Sequence, residues 1–253
     1  MSMTAVQEKK RPLRPKKLIE LALRRTPPLY RLASRVYHRM NPSFRTLSPG
    51  APGAIRRAFE LVRDRSPDGL VGDYYEFGLF RGFTFLSAQR SCDELGLAGT
   101  RFWGFDSFQG LPAVEGIDRA EGEFFEGQFA CGKQEVIDNL SRHGMDWSRA
   151  ELIEGFFSDS LTEELKRRLP FRPAGVVVLD CDLYSSTQEA LSWMSGLLGA
   201  TTVLLFDDWL SFGGTPDRGQ PLAFREFLER HPGLHSEEGW DFANNGRTFV
   251  VTR

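Results

Sequence analysis

Two apolar runs in this chain each end in acid: Gly175-Val176-Val177-Val178-Leu179-Asp180-Cys181-Asp182 and Thr202-Val203-Leu204-Leu205-Phe206-Asp207-Asp208. Runs of β-branched and aliphatic residues bounded by polar ones are the pattern of a strand buried on both faces of a parallel sheet. In open α/β sheets, ligands collect just beyond the carboxyl ends of such strands. If the two strands are neighbours, four carboxylates share one crevice. That is costly unless a cation sits there or protons are shared. Hard oxygen donors of this kind favour Mg²⁺, Ca²⁺ or Mn²⁺ over zinc. Helix capping or a solvated turn would also account for Asp207-Asp208, but the nearby Asp180-x-Asp182 string favours the metal.

A second chemistry-bearing stretch lies earlier, at Glu76-Phe77-Gly78-Leu79-Phe80-Arg81-Gly82-Phe83-Thr84. Its layout is Glu-x-Gly-x-x-x-Gly where a strand turns into a helix. Glycine there lets the backbone pass close to a ligand, and the helix N-terminus offers free N–H groups to an anion. The spacing is not the Gly-x-Gly-x-x-Gly dinucleotide fingerprint, and no Gly-Lys-Ser/Thr of a P-loop is present. Closure of a tight turn explains the glycines equally well. Asp106 ends the next apolar run, where an acid accepts hydrogen bonds from a ribose diol. Together these features favour a nucleoside without a phosphate chain, of which S-adenosyl-L-methionine is the commonest cofactor.

Positioning these groups requires alternating strands and helices. The patterns predict strands at 74–77, 101–105, 151–154, 175–179, 202–206 and 247–252. They predict helices at 54–64, 84–95, 135–143, 161–168, 186–198 and 222–230. Such alternation implies an α/β fold with a mostly parallel sheet and helices on both faces. Residues 107–132 lack good periodicity; Phe108, Phe124, Phe125 and Phe129 there either line an apolar acceptor pocket or form the loop's own small core. The cluster Ser48-Pro49-Gly50-Ala51-Pro52-Gly53 reads as a break. It divides a basic N-terminal arm, 1–53, from a main domain, 54–253.

The arm is the electrostatic oddity. The net charge of the 253 residues is −2, yet residues 1–46 hold 12 Lys and Arg against 2 Asp and Glu, leaving 20 against 32 in the remainder. Residues 1–16 read as disordered, followed by short amphipathic patterns at Lys17–Leu23 and Leu29–Met40. The second puts Leu29, Leu32, Val36 and Met40 on one face and Arg31, Arg35 and Arg39 on another. A solvated accessory helix, a membrane-surface contact and a homodimer arm are three readings of it, in that order. Aromatic interleaving is too sparse for nucleic acid. Cys92, Cys131 and Cys181 form neither a Cys-x-x-Cys pair nor a disulfide framework, and no apolar run approaches a membrane span. A reducing cytoplasm is expected. The four histidines are scattered and do not suggest zinc.

With these residues in view, the chain resembles the macrocin-type (TylF-like) sugar O-methyltransferases. The matching stretches are Glu76–Gly82, Phe105-Asp106-Ser107-Phe108-Gln109-Gly110-Leu111-Pro112, Glu154–Leu161, Leu179-Asp180-Cys181-Asp182-Leu183-Tyr184-Ser185-Ser186-Thr187 and Phe206-Asp207-Asp208-Trp209, in the family's order. The resemblance implies a class I methyltransferase (Rossmann-like) fold, a seven-stranded sheet whose last strand runs antiparallel. It implies S-adenosyl-L-methionine and Mg²⁺ (or Mn²⁺), with Asp180, Asp207 and Asp208 as metal ligands. It also implies a glycoside or nucleotide-sugar acceptor, whose sugar hydroxyl is methylated as in antibiotic biosynthesis. Asp180 then doubles as general base and Asp182 supports the site. The cofactor falls to Glu76, Phe77, Gly78, Gly82, Thr84, Asp106, Ser107, Gly155 and Phe156, although Phe156 is equally a core residue. Tyr184 either reaches substrate or is a buried tyrosine with a satisfied hydroxyl. Cys181 and Trp209 stand where the family more often has a small residue and Tyr. Two rivals remain: a metal-dependent glycosyltransferase using Asp180-Cys181-Asp182, and a non-catalytic nucleoside-binding protein.

Overall fold

The structure, a computed structural model, describes residues 26–40, 44–119 and 124–253. The expected disorder of 1–16 and the helical pattern at Lys17–Leu23 lie outside the described residues. The strands are β1 (Asp73–Phe77), β2 (Phe102–Asp106), β3 (Ala150–Glu154), β4 (Ala174–Leu179), β5 (Leu198–Phe206), β6 (His235–Phe242) and β7 (Gly246–Thr252). They form one sheet in the order β3-β2-β1-β4-β5-β7-β6. Strands β1 to β5 pair in parallel, and β7 runs antiparallel between β5 and β6. The described helices are α1 (Pro27–Met40), α2 (Ala51–Arg65), α3 (Phe83–Glu94), α4 (Lys133–Arg142), α5 (Phe157–Ser160), α6 (Glu163–Arg168), α7 (Tyr184–Met194) and α8 (Gly219–Arg230).

Side chains alternate across the strands as the pleat requires. Tyr74, Val176, Val178, Val203, Leu205 and Val250 pack on one face with Ile55 and Phe59 of α2, Phe85 of α3 and Leu140 of α4. Tyr75, Phe77, Val177, Leu179, Leu204 and Phe206 pack on the other with Leu191 and Trp193 of α7 and Phe227 of α8. Burial on both faces is why the central strands read as continuous apolar runs.

Three differences from the sequence patterns have local causes. Strand β6, His-Ser-Glu-Glu-Gly-Trp-Asp-Phe, was not predicted because its residues are mostly exposed; an edge strand held by one neighbour needs no apolar alternation. Pro27 and Pro52 each lie in the first turn of a helix instead of separating elements, a position where proline's missing N–H costs nothing. The predicted helix 161–168 begins two residues later, at Glu163, where Thr162 caps α6 by accepting from the Leu165 N–H at 3.1 Å, and the separate short helix α5 precedes it.

Among the described residues nothing covers the expected apolar face of α1. Leu29, Leu32, Val36 and Met40 are 52–76% exposed. The helix instead packs through Tyr30, whose ring meets Phe125 edge-on at 4.8 Å.

The parallel ladder runs one residue beyond each strand end. Gly155 N–H donates to the Asp106 carbonyl, Gly78 to Phe105, Asp180 to Phe77 and Asp207 to Leu179, at 2.9–3.1 Å. This aligns the tips of β3, β2, β1, β4 and β5. Gly78 has φ +91°, and a Cβ there would lie 1.7 Å from the Asp180 carbonyl oxygen. Only glycine permits that crossing. Gly78→Ala is therefore expected to destabilise the fold by about 3 kcal/mol or more, read as a lower urea midpoint; an unchanged midpoint would show that the two tips can separate freely.

Candidate active site

The aligned tips floor a cavity of about 340 Å³. Asp180, Asp182, Asp207 and Asp208 all line it, together with Gly78, Thr84, Asp106, Ser107 and Phe156. Because β4 and β5 are paired neighbours with Leu179 beside Phe206, both acidic strings reach the same crevice.

The electrostatics are those of crowded anions. Asp180 is held well above the usual carboxylate range, by burial first and then by the charges of Asp207, Asp208, Asp182 and Glu76. Asp182 is raised well above it too, by burial and by Asp208, Asp207 and Asp106. Burial also raises Asp207, while a hydrogen bond from the Ser48 hydroxyl (2.6 Å) opposes the rise. The donor set is thus all carboxylate oxygen, desolvated and mutually repelling, which is chemistry that suits a hard divalent cation. Their side chains are not gathered into a chelating group: among the described residues no cluster of three His, Cys, Asp or Glu has metal-holding geometry. Protein donors engage two of the expected ligands. Asp207 Oδ1 accepts from Ser48, and Asp208 Oδ2 accepts from the Asp182 N–H at 3.1 Å.

The glycine turn is fastened from the next strand. Asp106 Oδ2 accepts from the N–H groups of Leu79 (2.7 Å) and Phe80 (3.2 Å), and Oδ1 from that of Phe108 (2.6 Å). A carboxylate has about four acceptor positions, so roughly one is left for a ligand. Ser107 closes its own turn, donating to the Gly110 carbonyl at 2.7 Å. Three residues lining the cavity, Phe80, Phe129 and Asp182, have φ between +47° and +61°. Side chains of this size rarely adopt that conformation, and such strain concentrates at functional sites.

The remaining predicted residues are dispersed. Phe77 is core, stacked on Phe105 at 4.7 Å. Gly82 precedes α3 as its N-cap, and Gly155 follows β3. The hydroxyl of Tyr184 donates to Glu226 at 2.8 Å, and the residue does not line the cavity. Of the loop aromatics, Phe129 lines the cavity, Phe108 is buried, Phe124 packs on Phe212 and Phe125 on Tyr30.

Other residues carry no sequence signal. Gln220, fully buried at the start of α8, accepts from the Asp208 N–H (3.0 Å) and donates to the Leu179 carbonyl (2.9 Å), joining the two strand tips. Asp118 accepts from the N–H groups of Tyr184 (2.6 Å) and Ser185 (3.2 Å), tying the 107–119 segment to the N-terminus of α7. Ser48 and Arg45 reach the cavity from before α2. Only the folded backbone reveals these pairings.

This sheet order, with a glycine turn after β1 and acids at the tips of β4 and β5, defines a class I O-methyltransferase fold. Two solved structures share it. The O-methyltransferase NovP is 22% identical, with a TM-score of 0.65 over 80% of this chain and 79% of that one. The calicheamicin methyltransferase CalS11 is 20% identical, with a TM-score of 0.61 over 98% of each chain. The chain belongs to the macrocin-O-methyltransferase (TylF) family, whose profile matches residues 54–226. It is similar to the 8-demethyl-8-(2,3-dimethoxy-alpha-L-rhamnosyl)-tetracenomycin-C 4'-O-methyltransferase of Streptomyces olivaceus, with 31% identity over 56% of this chain and 54% of the relative. It is also similar to the mycinamicin III 3''-O-methyltransferase of Micromonospora griseorubida, with 26% identity over 56% and 57%. The chain thus spans a little over half the length of these curated relatives. Family membership sets aside the glycosyltransferase reading of Asp180-Cys181-Asp182.

Beneath the cavity floor, Glu76 is fully buried and bonds through Oε2 to the Tyr74 hydroxyl, while Oε1 has no partner among the described residues. Burial pushes its pKa up to about 8 from an ordinary 4.5, with further upward pressure from Asp207 and Asp106. The folded state therefore holds a proton that the unfolded chain releases. The stability tied to this group is present below about pH 4.5 and is lost as pH rises through about 8. Glu76→Gln should flatten that dependence by an amount on the order of 4 kcal/mol between pH 5 and pH 9, measured by urea denaturation of both proteins. Equal slopes for the two would mean that Glu76 ionises freely.

Proposed function

We propose that this chain is an S-adenosyl-L-methionine-dependent O-methyltransferase acting on a sugar hydroxyl of a glycosylated small molecule or a nucleotide sugar. The observation carrying this reading is the convergence of Asp180, Asp207 and Asp208 on one cavity, beside the glycine turn of β1. The named relatives, which methylate rhamnosyl-tetracenomycin and mycinamicin sugars, support the acceptor class.

A sugar hydroxyl is a poor nucleophile near neutral pH because its proton is held too tightly. Asp180, Asp207 and Asp208 would hold Mg²⁺ or Mn²⁺, which supplies the lowering of that hydroxyl's pKa. Asp180 accepts the proton as the oxygen attacks. The cofactor supplies a methyl group on a sulfonium. The backbone of the Gly78 turn would orient it, with Asp106, Ser107 and Phe156 on the nucleoside side, whereas Glu76 does not line the cavity and supports the turn from beneath. Asp182, at φ +61° at the end of the first string, holds Asp208 through its N–H. Much of the remaining rate comes from alignment of methyl and oxygen in the cavity. The 107–119 segment, latched by Asp118, contributes Ser107, Gly110 and Leu111 to its lining.

Transfer of a labelled methyl group from S-adenosyl-L-methionine to a panel of glycosides and nucleotide sugars tests the reading. Activity should be abolished by EDTA and restored by Mg²⁺. Asp180→Asn should lower the rate about 10²- to 10⁴-fold while S-adenosylhomocysteine binding, measured by calorimetry, is retained. A folded Asp180→Asn protein with full activity would refute the site. A wild-type chain that binds S-adenosylhomocysteine but methylates nothing in the panel would favour the non-catalytic reading.

A further inference from the structure

The segment before α2 crosses the carboxyl edge of the sheet and is fixed at both ends. On one side, the Phe44 ring stacks on His143 at 4.3 Å and leans on Phe83 at 5.2 Å. On the other, Gly50 lies so close to the turn between β6 and β7 that a Cβ there would be 2.4 Å from the Ala243 nitrogen. Between them, the Thr46 hydroxyl accepts from the Ser48 N–H (2.9 Å) and donates to the Ser48 carbonyl (3.1 Å). That carbonyl also accepts from the Ala51 N–H at 3.0 Å. Ser48 is thereby buried with its backbone pinned, and its hydroxyl donates to Asp207 Oδ1 at 2.6 Å across 159 residues of sequence.

We propose that Ser48 is a positioning residue for Asp207, holding one carboxylate oxygen so that the other is presented to a divalent cation at the strand tips. Groups that hydrogen-bond a metal-ligating carboxylate fix its orientation, and their loss commonly weakens metal binding 10- to 100-fold. The chemistry of the donor matters here. A lysine or arginine in this place would act as the counter-ion and compete with the metal. A serine hydroxyl orients the carboxylate and leaves its charge available. Arg45 and Leu47 of the same segment line the cavity with Ser48, so this strap is part of the active-site wall.

The inference rests on the reading of Asp207 as a metal ligand, and the test separates the two. Mn²⁺ binding to the full chain is measured by calorimetry for wild type, Ser48→Ala, Ser48→Thr, Ser48→Val and Asp207→Asn, with thermal melts to confirm folding. Ser48→Ala is expected to weaken Mn²⁺ binding about tenfold. Threonine and valine have the same shape and differ in the hydroxyl, so Ser48→Thr should bind more tightly than Ser48→Val by a similar factor, even if the added methyl lowers the stability of both. Wild-type affinity in Ser48→Ala and Ser48→Val, with binding lost in Asp207→Asn, would overturn the role of Ser48 and leave the metal site standing. Wild-type affinity in Asp207→Asn, or no Mn²⁺ binding by the wild type, would overturn the metal site and the role of Ser48 together.

Discussion

Negative charge held out of water at the tips of β4 and β5 is the constraint around which the rest of the site is arranged. Desolvation raises Asp180, Asp182 and Asp207, and their mutual repulsion raises Asp180 and Asp182 further. A folded protein tolerates such a cluster when the alternatives are closed off. Here they are closed by backbone geometry: the Asp180 and Asp207 N–H groups continue the parallel ladder, and Gln220 ties Asp208 to the end of β4. The acids cannot drift apart without breaking bonds that the sheet itself makes. The backbone thus fixes where the acids stand, although among the described residues their side chains are not gathered into a chelating group.

The same backbone logic explains what could be read in the chain before folding. Strands buried on both faces announce themselves as apolar runs, so the sequence placed β4 and β5 and the acids after them close to where they stand. Strand β6 escaped because its stability comes from hydrogen bonds to β7 and not from apolar burial. The family resemblance implied seven strands where the residue patterns disclosed six. Gln220, Asp118 and Ser48 were illegible for a different reason. Each acts on groups 12 to 159 residues away through one or two side-chain bonds, and no local period marks such a pairing.

Asp106 shows how a sequence position can be right while its work is shared. The reading of an acid after the second strand was that it faces a ribose. In the fold it lines the cavity, but three backbone N–H groups already occupy it, two of them from the glycine turn. The carboxylate is thus first a clamp that sets the path of Leu79 and Phe80. Whatever it contributes to a ligand comes through about one remaining acceptor position. An asparagine there could still accept but would place an amide N–H against a backbone donor. Clamp and ligand contact are therefore coupled in a single side chain.

The arm, finally, is better divided by what it touches than by its charge. Its helix α1 leaves Leu29, Leu32, Val36 and Met40 exposed and contacts the body through Tyr30 on Phe125, a residue of the 107–132 segment. Residues 44–50 go further and bond to the Asp-Asp pair itself. Both contacts fall on the side of the sheet where strand tips, loop and cavity meet. Segments from opposite ends of the described chain, the strap before α2 and the turn between β6 and β7, also touch there at Gly50 and Ala243. A segment that reads as a linker by its prolines and glycines therefore sits where movement would alter the cavity. Of the small residues that suggested a break, Gly50 lets the chain pass closely over the Ala243 backbone, and Ser48 reaches Asp207.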